Sequence, residues 1–98
     1  MANKHRGIVE IELDKPRNLR YTLNALAEIE DKLGVNVGEM DGANLGIKAI
    51  RVILWAGLIH EDTELTETQV GEMVDFENFA QVQEKIAAAF EVATRKNV

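Results

Sequence analysis

Residues 45–75 read LGIKAIRVILWAGLIHEDTELTETQVGEMVD, and the reading of this stretch decides the fold. Its first half is the most apolar run in the chain. Ile47, Ile50, Leu54 and Leu58 recur at steps of three and four, which places them on one face of a helix. Val52, Trp55 and Ile59 make a second stripe nearly opposite, with Lys48 and Arg51 beside it. A helix apolar on two sides is either packed on both or presents one of them to a partner. The polar run from His60 to Glu64 ends the pattern. Leu65-Thr66-Glu67-Thr68-Gln69-Val70 then opens another helix. Thr66 and Gln69 have capping-box spacing, and Leu65 and Val70 have the spacing of a hydrophobic staple. The stretch therefore predicts a helix from about Asn44 or Leu45 to Ile59. A shorter one follows from Glu67 to about Val74, with Val70, Met73 and Val74 inward.

Upstream, Gly7 to Leu13 alternates, with Val9, Ile11 and Leu13 facing one way and Ile8, Glu10 and Glu12 the other. Asp14-Lys15-Pro16-Arg17-Asn18 is turn chemistry, and Leu19 to Tyr21 is expected to return as a short second strand. An isolated hairpin is marginal in water, so this one must lie on helices or pair with another chain. Thr22 is placed to cap a first helix. Leu23, Leu26, Ile29 and Leu33 mark its apolar side, Glu28, Glu30, Asp31 and Lys32 its wet side, and Gly34 its end. Residues 35–44 hold Asn36, Gly38, Gly42 and Asn44 and read as a loop, which Val35, Val37 and Met40 keep partly apolar.

Downstream, Asp75 is expected to cap a fourth helix from about Phe76 to Ala93. Phe79, Val82, Ile86, Phe90 and Ala93 form its stripe, and Ala87, Ala88 and Ala89 give it a thin side. The fold class predicted is mostly α (α+β), an N-terminal β-hairpin followed by about four helices around one core. Residues 1–98 form a single domain, with 1–6 and 94–98 loosely held.

Composition narrows the function classes. The hydrophobic fraction of 46% and charged fraction of 29% are those of a globular protein. Cysteine is absent, which removes disulfides, thiolate metal sites and cysteine nucleophiles together. The net charge of −6 disfavours nucleic-acid binding. The charge is uneven. Residues 1–22 carry five Lys/Arg against three Asp/Glu, and residues 23–98 carry six against fourteen. That excess is read either as a soluble surface or as an acidic face that steers a basic partner. The N-terminus lacks the long apolar run of a signal peptide, and Ile50–Ile59 is too short to span a membrane.

Few residues suggest chemistry. His60-Glu61-Asp62 is the best cluster, but consecutive residues do not converge on one point, and a zinc site needs more nitrogen or sulfur ligands. It reads as a solvated interhelical loop. The other histidine, His5, lies in the N-terminal tail. No serine is present, so no Ser/His/Asp arrangement exists. Neither a P-loop nor a GxGxxG motif appears. The acidic residues Glu61, Asp62, Glu64, Glu67, Glu72, Asp75 and Glu77 lack calcium-loop spacing and read as a solvated face. No catalytic, cofactor or metal residues are assigned.

Trp55 has two readings. It is a core tryptophan covered by the hairpin or the last helix, or it is the anchor of an interface. On the second reading Val52, Trp55 and Ile59, rimmed by Lys48 and Arg51, form a partner-binding face. Such a face suits an apolar helix or self-association.

The order of short motifs also resembles a known family. The apolar helix ends in Trp55-Ala56-Gly57-Leu58, and His60-Glu61-Asp62, Leu65-Thr66 and Val70-Gly71 follow. In this it resembles the small tail assembly chaperones of long-tailed phages, prophages and gene transfer agents. The N-terminal part is similar too, with Arg6-Gly7-Ile8-Val9-Glu10-Ile11 and then Arg20-Tyr21-Thr22-Leu23-Asn24-Ala25-Leu26-Ala27-Glu28-Ile29-Glu30. The resemblance implies a non-enzymatic protein in the cytoplasm of a bacterial host cell. It would coat the tape measure protein, keep its apolar helices soluble and help tail tube protein assemble around it. No contact residues are carried over. The alternative is a structural tail or connector protein, retained in the particle and bound through the hairpin edge.

Overall fold

The computed structural model describes residues 8–39 and 46–94, with backbone only at positions 93 and 94. Strands β1 (Ile8–Glu12) and β2 (Pro16–Arg20) form an antiparallel hairpin. Four helices follow: α1 (Leu23–Leu33), α2 (Ile47–Leu58), α3 (Glu67–Gly71) and α4 (Phe79–Thr94). This is the hairpin-plus-helices architecture expected from the sequence. No helix among the described residues is long and apolar enough to cross a membrane.

The hairpin turn is tighter than its composition suggests. The return strand starts at Pro16, not at Leu19, with Glu12 opposite Pro16 and Ile8 opposite Arg20. Pro16 stands at the first position of an edge strand, where its missing N–H removes no ladder bond. Leu13 N–H donates to the Lys15 carbonyl at 3.1 Å. Asp14 clamps the turn by accepting from Arg17 Nε at 2.7 Å and Nη2 at 2.9 Å. That pairing allows Arg17 to occupy a buried slot opposite Ile11. Val9, Ile11 and Leu19 turn inward, as the alternation requires.

Helix α1 is bounded as its end residues dictate. Thr22 Oγ1 accepts from Ala25 N–H at 3.1 Å, and Gly34 closes the helix at φ 66° in the left-handed region. Its buried line is Ala25 and Ile29, with Leu26 and Leu33 half-buried. Leu23, expected on the apolar side, is exposed. At 100° per residue it lies about 200° around the helix from Ala25 and points away from the core.

Helix α2 is the centre of the molecule and touches α1, β2, α3 and α4. Ile50, Val52, Ile53, Leu54, Ala56, Gly57 and Leu58 are all buried. It starts at Ile47, after Gly46; the expected first residues Asn44 and Leu45 lie outside the described residues, as does Met40. The loop read over 35–44 contains one 3-10 turn, Val37–Glu39, whose Val37 packs into the core. Gly57 is where the hairpin meets this helix. A Cβ there would stand 2.7 Å from Tyr21 Cζ and 2.9 Å from Leu19 Cδ2. The absence of a side chain lets Tyr21 lie flat enough for its hydroxyl to donate to the Ile53 carbonyl at 2.7 Å. The Tyr21 ring also meets Phe90 edge-on, centroids 4.8 Å apart.

The last two helices are shorter than their patterns. Both halves of the Thr66–Gln69 capping box form, and Leu65 and Val70 are buried on either side of it. Yet α3 ends at Gly71 and not at Val74; Met73 and Val74 are half-buried beyond it. Helix α4 begins at Phe79 rather than Phe76 because residues 75–78 form a closed turn of their own. Asp75 N–H donates to Asn78 Oδ1, and Asn78 and Glu77 N–H both donate to Asp75 Oδ1. Val82, Ile86 and Ala89 bury the helix, with Phe79 and Phe90 half-buried. The side chain of Ala93, expected in that stripe, and the ends 1–6 and 95–98, expected to be loose, lie outside the described residues; α4 itself continues to Thr94.

Candidate functional site

The two apolar faces of α2 are covered unequally. Val52 is buried, and Trp55 and Ile59 are half-buried. The Trp55 indole N–H donates to the Leu65 carbonyl at 2.8 Å, and Lys32 Nζ sits 5.0 Å from its ring centroid. Lys32 is held there by Glu67, 3.0 Å away, which raises the Lys32 pKa. The capped start of α3 and the end of α1 thus reach over the Trp55 side of α2.

The open apolar surface lies on the other face. A groove of about 420 Å³ runs between α2, α3 and the turn before α4. Ile50, Leu54 and Val70 are its buried floor, with Val74 and Phe79 half-buried in its walls. At its mouth stand Ile47, 72% exposed, and Phe76, 95% exposed. Ile47 belongs to the stripe assigned to the core, and it is left uncovered because α3 is short and α4 starts late. Arg51 and Asp75 also line the groove. The Arg51 stem lies along α3, its Cδ 3.2 Å from where a Cβ on Gly71 would be. Of the five residues expected to form a partner face, only Arg51 borders this groove; Lys48 is exposed one position beyond Ile47.

Phe76 is presented by a fixed turn. Besides the Asp75–Asn78 bonds, Asn78 Nδ2 donates to the Met73 carbonyl at 3.1 Å. The aromatic ring is therefore held outward by hydrogen bonds on both sides of it. The sequence signal was present in the reciprocal Asp75/Asn78 spacing, which has the geometry of a capping box, but helical periodicity through Phe76 masked it.

His60-Glu61-Asp62 is a latch between the α2–α3 loop and the hairpin. Glu61 accepts from Asn18 N–H at 3.2 Å and Asn18 Nδ2 at 2.8 Å. His60 Nε2 lies 2.7 Å from the Asn18 carbonyl and donates to it. Asn18 is opposite Glu10 with its backbone groups turned away from β1, so these two side chains cover the outer edge of β2 there. Burial works against ionisation of Glu61. The Asn18 hydrogen bonds, His60 and Arg17 outweigh it and lower the pKa. Among the described residues no group of three or more His, Cys, Asp or Glu is arranged to hold a metal ion. A second, polar recess of about 490 Å³ separates the hairpin turn from α3, with the Asp14–Arg17 pair, Asp62 and Glu72 in its lining.

No protein-family model matches the chain, and neither a curated protein nor a solved structure is significantly similar to it.

Proposed function

We propose that this chain is a non-enzymatic tail assembly chaperone of the cytoplasm, which binds an apolar helix of a tape measure protein in the α2–α3–α4 groove and assists tail tube assembly. The observation that carries this reading is the groove itself, whose mouth bears the exposed Ile47 and Phe76 over a buried aliphatic floor. A surface of that kind takes the apolar side of an amphipathic helix at i, i+3 and i+4 anchors. An aromatic at the centre of such a patch is the usual hot spot. The resemblance of the α2–α3 stretch and the N-terminal segment to tail assembly chaperones supplies the identity of the client. The acidic character of the chain favours clients with basic flanks.

The test is affinity capture from cells producing the particle, with the tape measure and tube proteins quantified by mass spectrometry. Wild type captures the tape measure protein, and Ile47→Ser with Phe76→Ser loses it while staying folded. The chaperone is missing from purified particles. A protein present there in stoichiometric amount is a structural subunit, and the proposal fails.

A further inference from the structure

We propose that the same groove is a two-fold self-association surface, in which each copy's Phe76 seats against α2 of a second copy. The argument goes beyond the client reading and uses no client. It begins with the walls of the groove. The α2 wall carries Lys48 and Arg51, whereas the wall formed by the turn before α4 carries Asp75 and Glu77. Between Arg51 and Lys85 the chain has no Lys or Arg, so the second wall is acidic throughout. A two-fold axis along the groove sets the basic wall of one copy against the acidic wall of the other, twice. Charge thus selects a second copy as the occupant, because one surface carries both halves of the complement.

The apolar part is self-complementary in the same way. Phe76 is 95% exposed and projects from a turn closed by the Asp75–Asn78 hydrogen bonds. The second copy offers Ile47, 72% exposed, above the buried Ile50. A side chain already fixed in its bound position loses little freedom on docking. Dimerisation would cover both exposed hydrophobics and keep the groove closed until a competing apolar helix arrives.

The experiment is analytical ultracentrifugation of the full chain over a wide concentration range. Wild type shows a reversible monomer–dimer equilibrium that weakens with salt, as the screening length falls from about 10 Å at 0.1 M to about 3 Å at 1 M. Phe76→Ser, which removes no core contact, weakens the dimer by more than about tenfold with an unchanged circular dichroism spectrum. The charge pairing has its own test. Lys48→Glu/Arg51→Glu makes both walls acidic. Asp75→Asn/Glu77→Lys makes the second wall basic while keeping the Oδ1 acceptor of the turn. Each variant alone is monomeric, and mixing the two restores a heterodimer. A wild type that stays monomeric at the highest concentrations overturns the proposal. So does a dimer that survives Phe76→Ser, or a mixture of charge variants that fails to associate. The client reading stands or falls separately, on capture of the tape measure protein.

Discussion

Replacing Gly57 by alanine tests how the hairpin is mounted on the central helix. In an open helical position this change stabilises by about 1 kcal/mol, because glycine is the poorer helix former. At Gly57 the new methyl would lie 2.7 Å from Tyr21 Cζ, 2.9 Å from Leu19 Cδ2 and 2.9 Å from Tyr21 Oη. Tyr21 is 5% exposed and Leu19 fully buried, so neither moves without displacing the hairpin or Phe90. Overpacking of this kind costs about 1–3 kcal/mol. If the tyrosine hydroxyl is pushed off the Ile53 carbonyl, an unsatisfied buried polar group adds about 1–3 kcal/mol. Against the helix-propensity gain, the net expectation is a loss of about 1–4 kcal/mol. That is a drop in melting temperature of roughly 4 °C or more at the 4–8 °C per kcal/mol of a domain this size. Urea melts of wild type and Gly57→Ala measure it, with Ala87→Gly on the exposed side of α4 supplying the propensity difference in this protein. A Gly57→Ala variant as stable as wild type, or more so, refutes the close seating of Tyr21 and Leu19 on α2.

Three further outcomes follow from the same contacts. Trp55→Ala should destabilise by about 3 kcal/mol, the low end for a large aromatic because the ring is only half-buried. Trp55→Phe, losing mainly the bond to Leu65, should cost about 1 kcal/mol; equal losses in denaturant melts would show that the indole N–H contributes nothing. Thr66→Ala should cost about 0.5–2 kcal/mol by removing the Gln69 N–H acceptor, read as a lower urea midpoint at unchanged slope; an unchanged midpoint would mean the cap contributes nothing to stability. The folded pKa of Glu61 is depressed below its ordinary 4.5, and that of Asp14 below 3.8, chiefly by the Arg17 hydrogen bond. Their stabilisation is present above those values and lost as pH falls through them. Stability measured from pH 6 downward should therefore fall on acidification, and Glu61→Gln should flatten that limb; an identical slope in the variant would remove Glu61 as a contributor.

Local signals in the chain were enough for every element that is bounded by its own residues. Thr22 and Gly34 delimit α1, and Thr66 with Gln69 starts α3. The period-2 run Val9–Ile11 marks a strand, because caps and alternation act within a few residues of one another. Those signals determined an α+β chain with one central apolar helix. They left two readings for Trp55, since a half-covered aromatic has the same periodicity whether its cover comes from the chain or from outside.

Tertiary structure decided which face of α2 stays open. Lys32 and the Leu65 carbonyl come to Trp55 from distant parts of the chain, and no periodicity in 45–59 encodes their arrival. Ile47 is uncovered because Gly71 and the Asp75–Asn78 turn end one helix early and start the next late, leaving a gap above a stripe that by itself looks like core. The use of His60 and Glu61 was likewise hidden, because their partner Asn18 is more than forty residues away. Periodicity within a segment reports how much apolar surface must be covered. Only the packing of the other segments determines which part of it is left for a partner.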